Sequence, residues 1–109
     1  MSHVVSIVLN VDAARAEEFE AGFREHELPI WEDLRARGLI VRAALVPLAI
    51  TTMPREGIKQ YLVSVWLRDF AAHHAHDEDP RFKRWNELAD VFQPEEPFVF
   101  GGDAILEVE

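Results

Sequence analysis

The sequence predicts an α+β fold: a four-stranded antiparallel sheet carrying its helices on one face, in the chain order β-α-β-β-α-β. Two observations predict it. Ile58 to Arg68 alternates so that Tyr61, Val63, Val65 and Leu67 share a uniformly apolar face, while Gln60, Leu62, Ser64 and Trp66 share a mixed one. Two stretches, Phe19 to Leu34 and Phe82 to Phe92, space their apolar residues at helical intervals.

The first strand spans His3 to Val11, with Val5, Ile7, Leu9 and Val11 on one face and Val4, Ser6, Val8 and Asn10 on the other. Asp12 then offers a carboxylate to cap a helix whose first turn holds Glu17 and Glu18, near the positive end of the helix dipole. That helix runs long, through Phe19, Phe23, Ile30, Trp31 and Leu34, and Gly38 terminates it. Pro29 lacks an N–H and clashes with the preceding turn, which predicts a kink or two helical pieces meeting near Leu28.

Leu39 to Thr52 is apolar and β-prone, and Pro47 within it argues for an edge strand. Met53 to Gly57 reads as the turn into the strand at Ile58. After Asp69, a cap, FAAHHAHDEDP reads as a short helical turn and an acidic loop. Asp79 before Pro80 starts the second long helix, which Pro94 ends. Residues 93–97 read as a loop, and Phe98 to Phe100 with Ala104 to Val108 as a last strand interrupted at Gly101 and Gly102. This order is the ferredoxin-like arrangement, and two helices can cover only one face of its sheet. The other face, with Val8, Leu62 and Trp66, therefore needs a partner, and a second copy of the sheet is the expected one.

Composition bounds what such a fold can do. At 109 residues the chain is long enough for one domain and one core. With 49% hydrophobic and 28% charged residues it has a globular composition. Twenty Asp and Glu against eleven Lys and Arg give a net charge of −9, which repels phosphate backbones and anionic membranes, so no nucleic acid and no membrane is expected as a partner. Absence of cysteine excludes disulfides, iron–sulfur clusters and thiol nucleophiles. The start, MSHVVSIVLNVD, has no basic residues ahead of its apolar run, so it reads as a strand and the protein as cytoplasmic.

Candidate chemistry is sparse. His26 lies between Glu25 and Glu27, and a neighbouring carboxylate raises an imidazole pKa toward general acid or base work near neutral pH. Asn10, Gln60, Ser64 and Trp66 form a polar and aromatic set on the mixed sheet face that would suit a small-molecule lining or an interface. His73, His74 and His76 precede Asp77, Glu78 and Asp79, but three histidines within one turn do not share a helical face, so no metal site is assigned. His73 is instead placed at the mouth of a pocket between the sheet and the first helix. No phosphate-binding glycine loop, serine elbow or paired-carboxylate motif is present, and no cofactor is expected.

The strand and following segment VSVWLRDFAAHHAH, the helix DPRFKRWNELADVF and the closing AILEVE resemble the dimeric α/β-barrel superfamily. In that superfamily two ferredoxin-like subunits pack sheet to sheet as a homodimer. The resemblance spans nearly the whole chain and is to the antibiotic-biosynthesis-monooxygenase type and to stress-responsive barrel proteins. It implies a small-molecule ligand and, for the oxygenases, oxidation of an aromatic or electron-rich substrate without a cofactor, for which His26 would be the base. A second, local resemblance joins HELPIWEDL and RWNELADVFQP to L-rhamnose-type mutarotases. It would make His26 the proton-transfer group and Trp85 the sugar-stacking ring. The chain departs from that pattern by an extra residue between His26 and Pro29 and by Asn86 where a second tryptophan is expected. The second helix also lacks the histidine that haem-degrading relatives use as iron ligand.

Overall fold

The computed structural model describes residues 1–109. Strands β1 (His3–Asp12), β2 (Ile40–Pro47), β3 (Ile58–Leu67) and β4 (Glu95–Asp103) form one antiparallel sheet in the order β2-β3-β1-β4. Helices α1 (Ala16–His26), α2 (Leu28–Ala36), α3 (Phe70–Asp77) and α4 (Pro80–Ala89) complete the ferredoxin-like α+β arrangement. The long strands β1 and β3 pair in the centre because both alternate without interruption, Val5 facing Val65 and Ile7 facing Val63. Pro47 closes β2 on the sheet edge, where a missing donor costs nothing.

The core forms on the uniformly apolar face. Val5, Val11, Tyr61, Val63, Val65 and Leu67 from the sheet pack against Phe19, Phe23, Ile30, Trp31, Leu34, Trp85 and Ala89 from the helices. Phe19 is its aromatic hub, with ring centroids 5.0 Å from Tyr61 and 6.1 Å from both Trp85 and Phe92.

The break near Leu28 forms as Pro29 requires, at the start of α2, where a missing N–H is harmless. Glu27 sits at the joint. Its N–H donates to the Phe23 carbonyl at 2.9 Å, and its own carbonyl accepts from Ile30 at 3.0 Å and Trp31 at 3.1 Å. Asp79 caps α4 at 2.8 Å to the Arg81 N–H, and Asp69 caps α3 at 2.8 Å to the Ala72 N–H.

Other boundaries differ from expectation. Asp12 caps a 3-10 turn (Ala13–Arg15), and α1 starts only at Ala16. β2 ends at Pro47, so residues 48–57 form a longer connection than a tight turn. The histidine segment is a full eight-residue helix, because the Asp69 cap satisfies its first turn. The second long helix tightens into a 3-10 turn over Asp90–Phe92. The last strand starts at Glu95, inside the expected loop, and runs unbroken through Gly101 and Gly102. A Cβ at Gly101 would lie 3.3 Å from the Val4 carbonyl oxygen, so glycine there permits close strand approach. The irregularity lies instead opposite β1, in the register shift between Val8 and Asn10. Residues 104–109 form no strand, although Ala104 donates to the Ser2 carbonyl and the Glu107 carboxylate accepts from the Ser2 N–H and hydroxyl at 2.7 and 2.8 Å.

Candidate functional site

A cavity of about 290 Å³ lies between the sheet and the helices. Its walls are mostly apolar: Ile7 and Val65 from the sheet, Phe23 and Trp31 from α1 and α2, Phe82 and Trp85 from α4. Val99 on edge strand β4 borders it and is 64% exposed, because the helices do not reach over that edge. The polar groups lining it are Glu27, His73, His76, Asp77, Asn86 and Gln93. A concave apolar space with a few convergent polar groups suits a small organic ligand.

Glu27 and His76 form a hydrogen-bonded ionisable pair in the cavity lining. Glu27 is 4% exposed, and its Oε1 accepts from His76 Nε2 at 2.6 Å. The other His76 nitrogen, Nδ1, donates to Asp77 Oδ1 at 2.9 Å. Burial disfavours the His76 imidazolium, but the hydrogen bonds to Asp77 and Glu27 outweigh it and push its pKa up to about 9. Burial likewise opposes the Asp77 carboxylate, yet its bonds to histidine hold it below its ordinary value. The second Glu27 oxygen, Oε2, is buried without any hydrogen-bond partner. A buried carboxylate oxygen with nothing to accept from is costly, and Glu27 is one of the residues lining the cavity, so a ligand O–H or N–H that reached it would relieve that cost.

The structure distributes the sequence candidates between two sides of the sheet. Trp85 and His73 line the cavity. His26 does not: its ring stacks on Trp85 at 5.4 Å between centroids and 16° between planes, and its Nε2 lies 3.8 Å from Glu25. Asn10, Gln60, Ser64 and Trp66 belong to the face away from the helices, so the expected pocket between sheet and first helix cannot include them. The reason is strand alternation: a residue sharing a face with Trp66 cannot also line a cavity floored by Val65. The Asn10 and Gln60 amides are moreover engaged with structure, Gln60 Nε2 donating to Asn10 Oδ1 and Asn10 Nδ2 to the Glu96 carbonyl, each at 2.9 Å. Trp66 lies beneath the Arg42 guanidinium, 4.0 Å from ring centroid to Cζ.

Glu27 and His76 are the residues the sequence reading passed over as site groups. One signal pointed to His76. His73 and His76 are three apart and so share a helical face, while His74 turns to solvent. No set of three or more His, Cys, Asp or Glu side chains converges as a metal-binding group. No helix is long and apolar enough to cross a membrane.

Known structures superpose on nearly all of this chain. A protein from Nitrosomonas europaea provisionally named an antibiotic biosynthesis monooxygenase aligns with a TM-score of 0.76 at 12% identity, over 95% of this chain and 90% of that one. The fold is that of the antibiotic biosynthesis monooxygenases. A protein from Bordetella bronchiseptica with the same provisional name aligns with a TM-score of 0.69 at 23% identity, covering 97% and 100% of the two chains. Rv0793 from Mycobacterium tuberculosis aligns with a TM-score of 0.73 at 12% identity over the full length of both. No family model matches the sequence, and no curated protein does. The monooxygenase-type resemblance thus holds at the level of the fold.

Proposed function

We propose that residues 1–109 form a single dimeric α/β-barrel domain that binds a small aromatic molecule in the cavity and oxidises it with molecular oxygen, without a bound cofactor. The observation that carries this reading is Glu27, a buried carboxylate with one unpartnered oxygen, in the lining of a mostly apolar cavity. The Glu27–His76 pair is the base, and Trp85 and Phe82 hold the flat substrate. His26, stacked on Trp85, supports that ring.

In the reaction Glu27 removes a proton from an activated CH₂ of the substrate. The resulting carbanion passes an electron to oxygen, and the two radicals join as a peroxide anion, which takes up one proton from solvent to become a hydroperoxide. Loss of water leaves a carbonyl, so one oxygen atom ends in product and the other in water, the substrate supplying both electrons and the proton given to solvent balancing the one taken up. The protein contributes orientation, a base and exclusion of water. The apolar surface left on the uncovered sheet face, with Phe100 59% exposed, carries the proposal of a homodimer joined through that face. A sugar mutarotase gains no support from the fold comparisons reported above.

The test is oxygen uptake with a panel of polycyclic phenols bearing an activated CH₂. The expected result is one oxygen consumed per carbonyl formed, with Glu27→Gln slower by roughly 10²–10⁴-fold, the usual contribution of a general base. Saturable binding of the panel without uptake would make the chain a binding protein, and the oxygenase reading would fall.

A further inference from the structure

Five short contacts run in series from the cavity to the surface. His76 Nε2 meets Glu27 Oε1 at 2.6 Å, and His76 Nδ1 meets Asp77 Oδ1 at 2.9 Å. Asp77 Oδ2 meets His73 Nε2 at 3.1 Å, and His73 Nδ1 meets His3 Nε2 at 3.0 Å. His3 Nδ1 finally meets Asp103 Oδ1 at 2.8 Å. At one end Glu27 lines the cavity and its Oε2 is buried without a partner; at the other, the Asp103 side chain is 77% exposed. Imidazoles and carboxylates make up every link.

We infer that Asp103, His3, His73, Asp77, His76 and Glu27 form a proton relay that carries to solvent the proton Glu27 takes from a ligand in the cavity. The relay serves the base of the proposed reaction and rests on that reading for its purpose. Its existence rests on the contacts alone.

Hydrogen-bond bookkeeping supports it. Each contact needs one proton between its two atoms, which requires both His76 nitrogens to donate and puts one extra proton on the His3–His73 pair. In the starting arrangement of the proposed relay that proton is on His73, which donates from both nitrogens, while His3 accepts from His73 and donates from Nδ1 to Asp103. Glu27, Asp77 and Asp103 are carboxylates. When a proton arrives at Glu27 Oε2, the His76 imidazolium loses its anionic partner. His76 passes its Nδ1 proton to Asp77 Oδ1. The anionic partner of His73 is thereby neutralised as well, so His73 passes its Nδ1 proton to His3 Nε2, and His3 passes its own through Asp103 to water. One proton has entered and one has left, the net charge of the six groups is unchanged, and all four internal links remain hydrogen-bonded. No heavy atom has to move. A chain with an apolar residue at any link could not do this.

The experiment uses ligand-free protein labelled with ¹⁵N-histidine, so it does not depend on any substrate. Scalar coupling between His3 Nε2 and His73 Nδ1 should report the shared proton. Exchange of the His76 ring N–H protons with water should slow several-fold in His3→Phe and in Asp103→Asn. A merely structural role predicts the reverse, since loosening the cluster would admit water and speed exchange. Asp103→Asn alters an exposed side chain and keeps an acceptor oxygen, so it carries the test if His3→Phe fails to fold. Absence of the coupling, or exchange unchanged or faster in Asp103→Asn, would overturn the relay. Slowed exchange together with no oxygen uptake would keep the relay and remove only the oxygenase reading.

Discussion

Replacing Glu27 by glutamine should change how stability depends on pH, and the structure sets the size of the change. Folding raises the His76 pKa from 6.5 to about 9, the hydrogen bonds to Asp77 and Glu27 overcoming the opposing effect of burial. At about 1.4 kcal/mol per pH unit this is worth about 3 kcal/mol, and little of it is lost to solvent screening because the His76 side chain is 15% exposed. A raised imidazole value stabilises the fold fully below pH 6.5, and the contribution disappears as pH rises through about 9. Glu27→Gln keeps the shape and an acceptor oxygen but removes one of the two anions. It should therefore cost roughly 1.5–3 kcal/mol near pH 6.5, the range for a hydrogen bond to a charged group. Above about pH 9.5 His76 is neutral in both proteins, and the wild type then buries a carboxylate without a counter-ion. There the gap should close or invert. Urea unfolding followed by fluorescence of the buried Trp31 and Trp85, at fixed chain concentration, measures this directly. Wild-type and variant curves that stay parallel from pH 6.5 to 9.5 would refute the Glu27–His76 ion pair.

Two further outcomes follow from packing. Light scattering at micromolar concentration should give about twice the 12.5 kDa chain mass, and Phe100→Glu, a 59% exposed position on the uncovered face, should yield a folded monomer; a wild-type monomer would remove the dimer proposal. Gly22→Ala would bring a Cβ to 2.8 Å from Trp85 Cη2 and Cζ3, so overpacking of about 1–3 kcal/mol should outweigh the roughly 1 kcal/mol helix gain, and a higher melting temperature would show that Trp85 yields freely.

Most of the fold was legible because each element announces itself locally. Alternation in His3 to Val11 and Ile58 to Arg68 depends only on which residues follow one another, as does the Asp79–Pro80 helix start. The site was less legible because its contacts are non-local. Glu27 reads in sequence as a neighbour of His26, yet the Pro29 break turns it toward His76, forty-nine positions away, while His26 turns to Trp85. The edge strand was misjudged at Gly101 and Gly102, where the glycines that suggest an interruption accommodate the Val4 backbone instead. The mixed face suits a lining or an interface in sequence because its polarity resembles both. Its amides in fact bond to each other and to the Glu96 carbonyl.

The position of the polar cluster follows from topology. Antiparallel pairing sets the start of β1 beside the ends of β3 and β4, with His3 between Leu67 and Asp103. Helix α3 begins only three residues after β3, so it must lie over this same end of the sheet, and its second turn brings the His73 ring to 5.0 Å from that of His3. One turn further on, His76 reaches the α1–α2 joint. Every link from Asp103 to Glu27 is thus fixed by a strand end, a capped helix or a proline break, and none by a long loop. Pre-placed donors and acceptors need no reorganisation when a proton moves, which is the condition under which a buried carboxylate can act as a base. In the proposed reaction the apolar walls orient the ligand, and the sheet end that the chain order creates supplies the path for its proton.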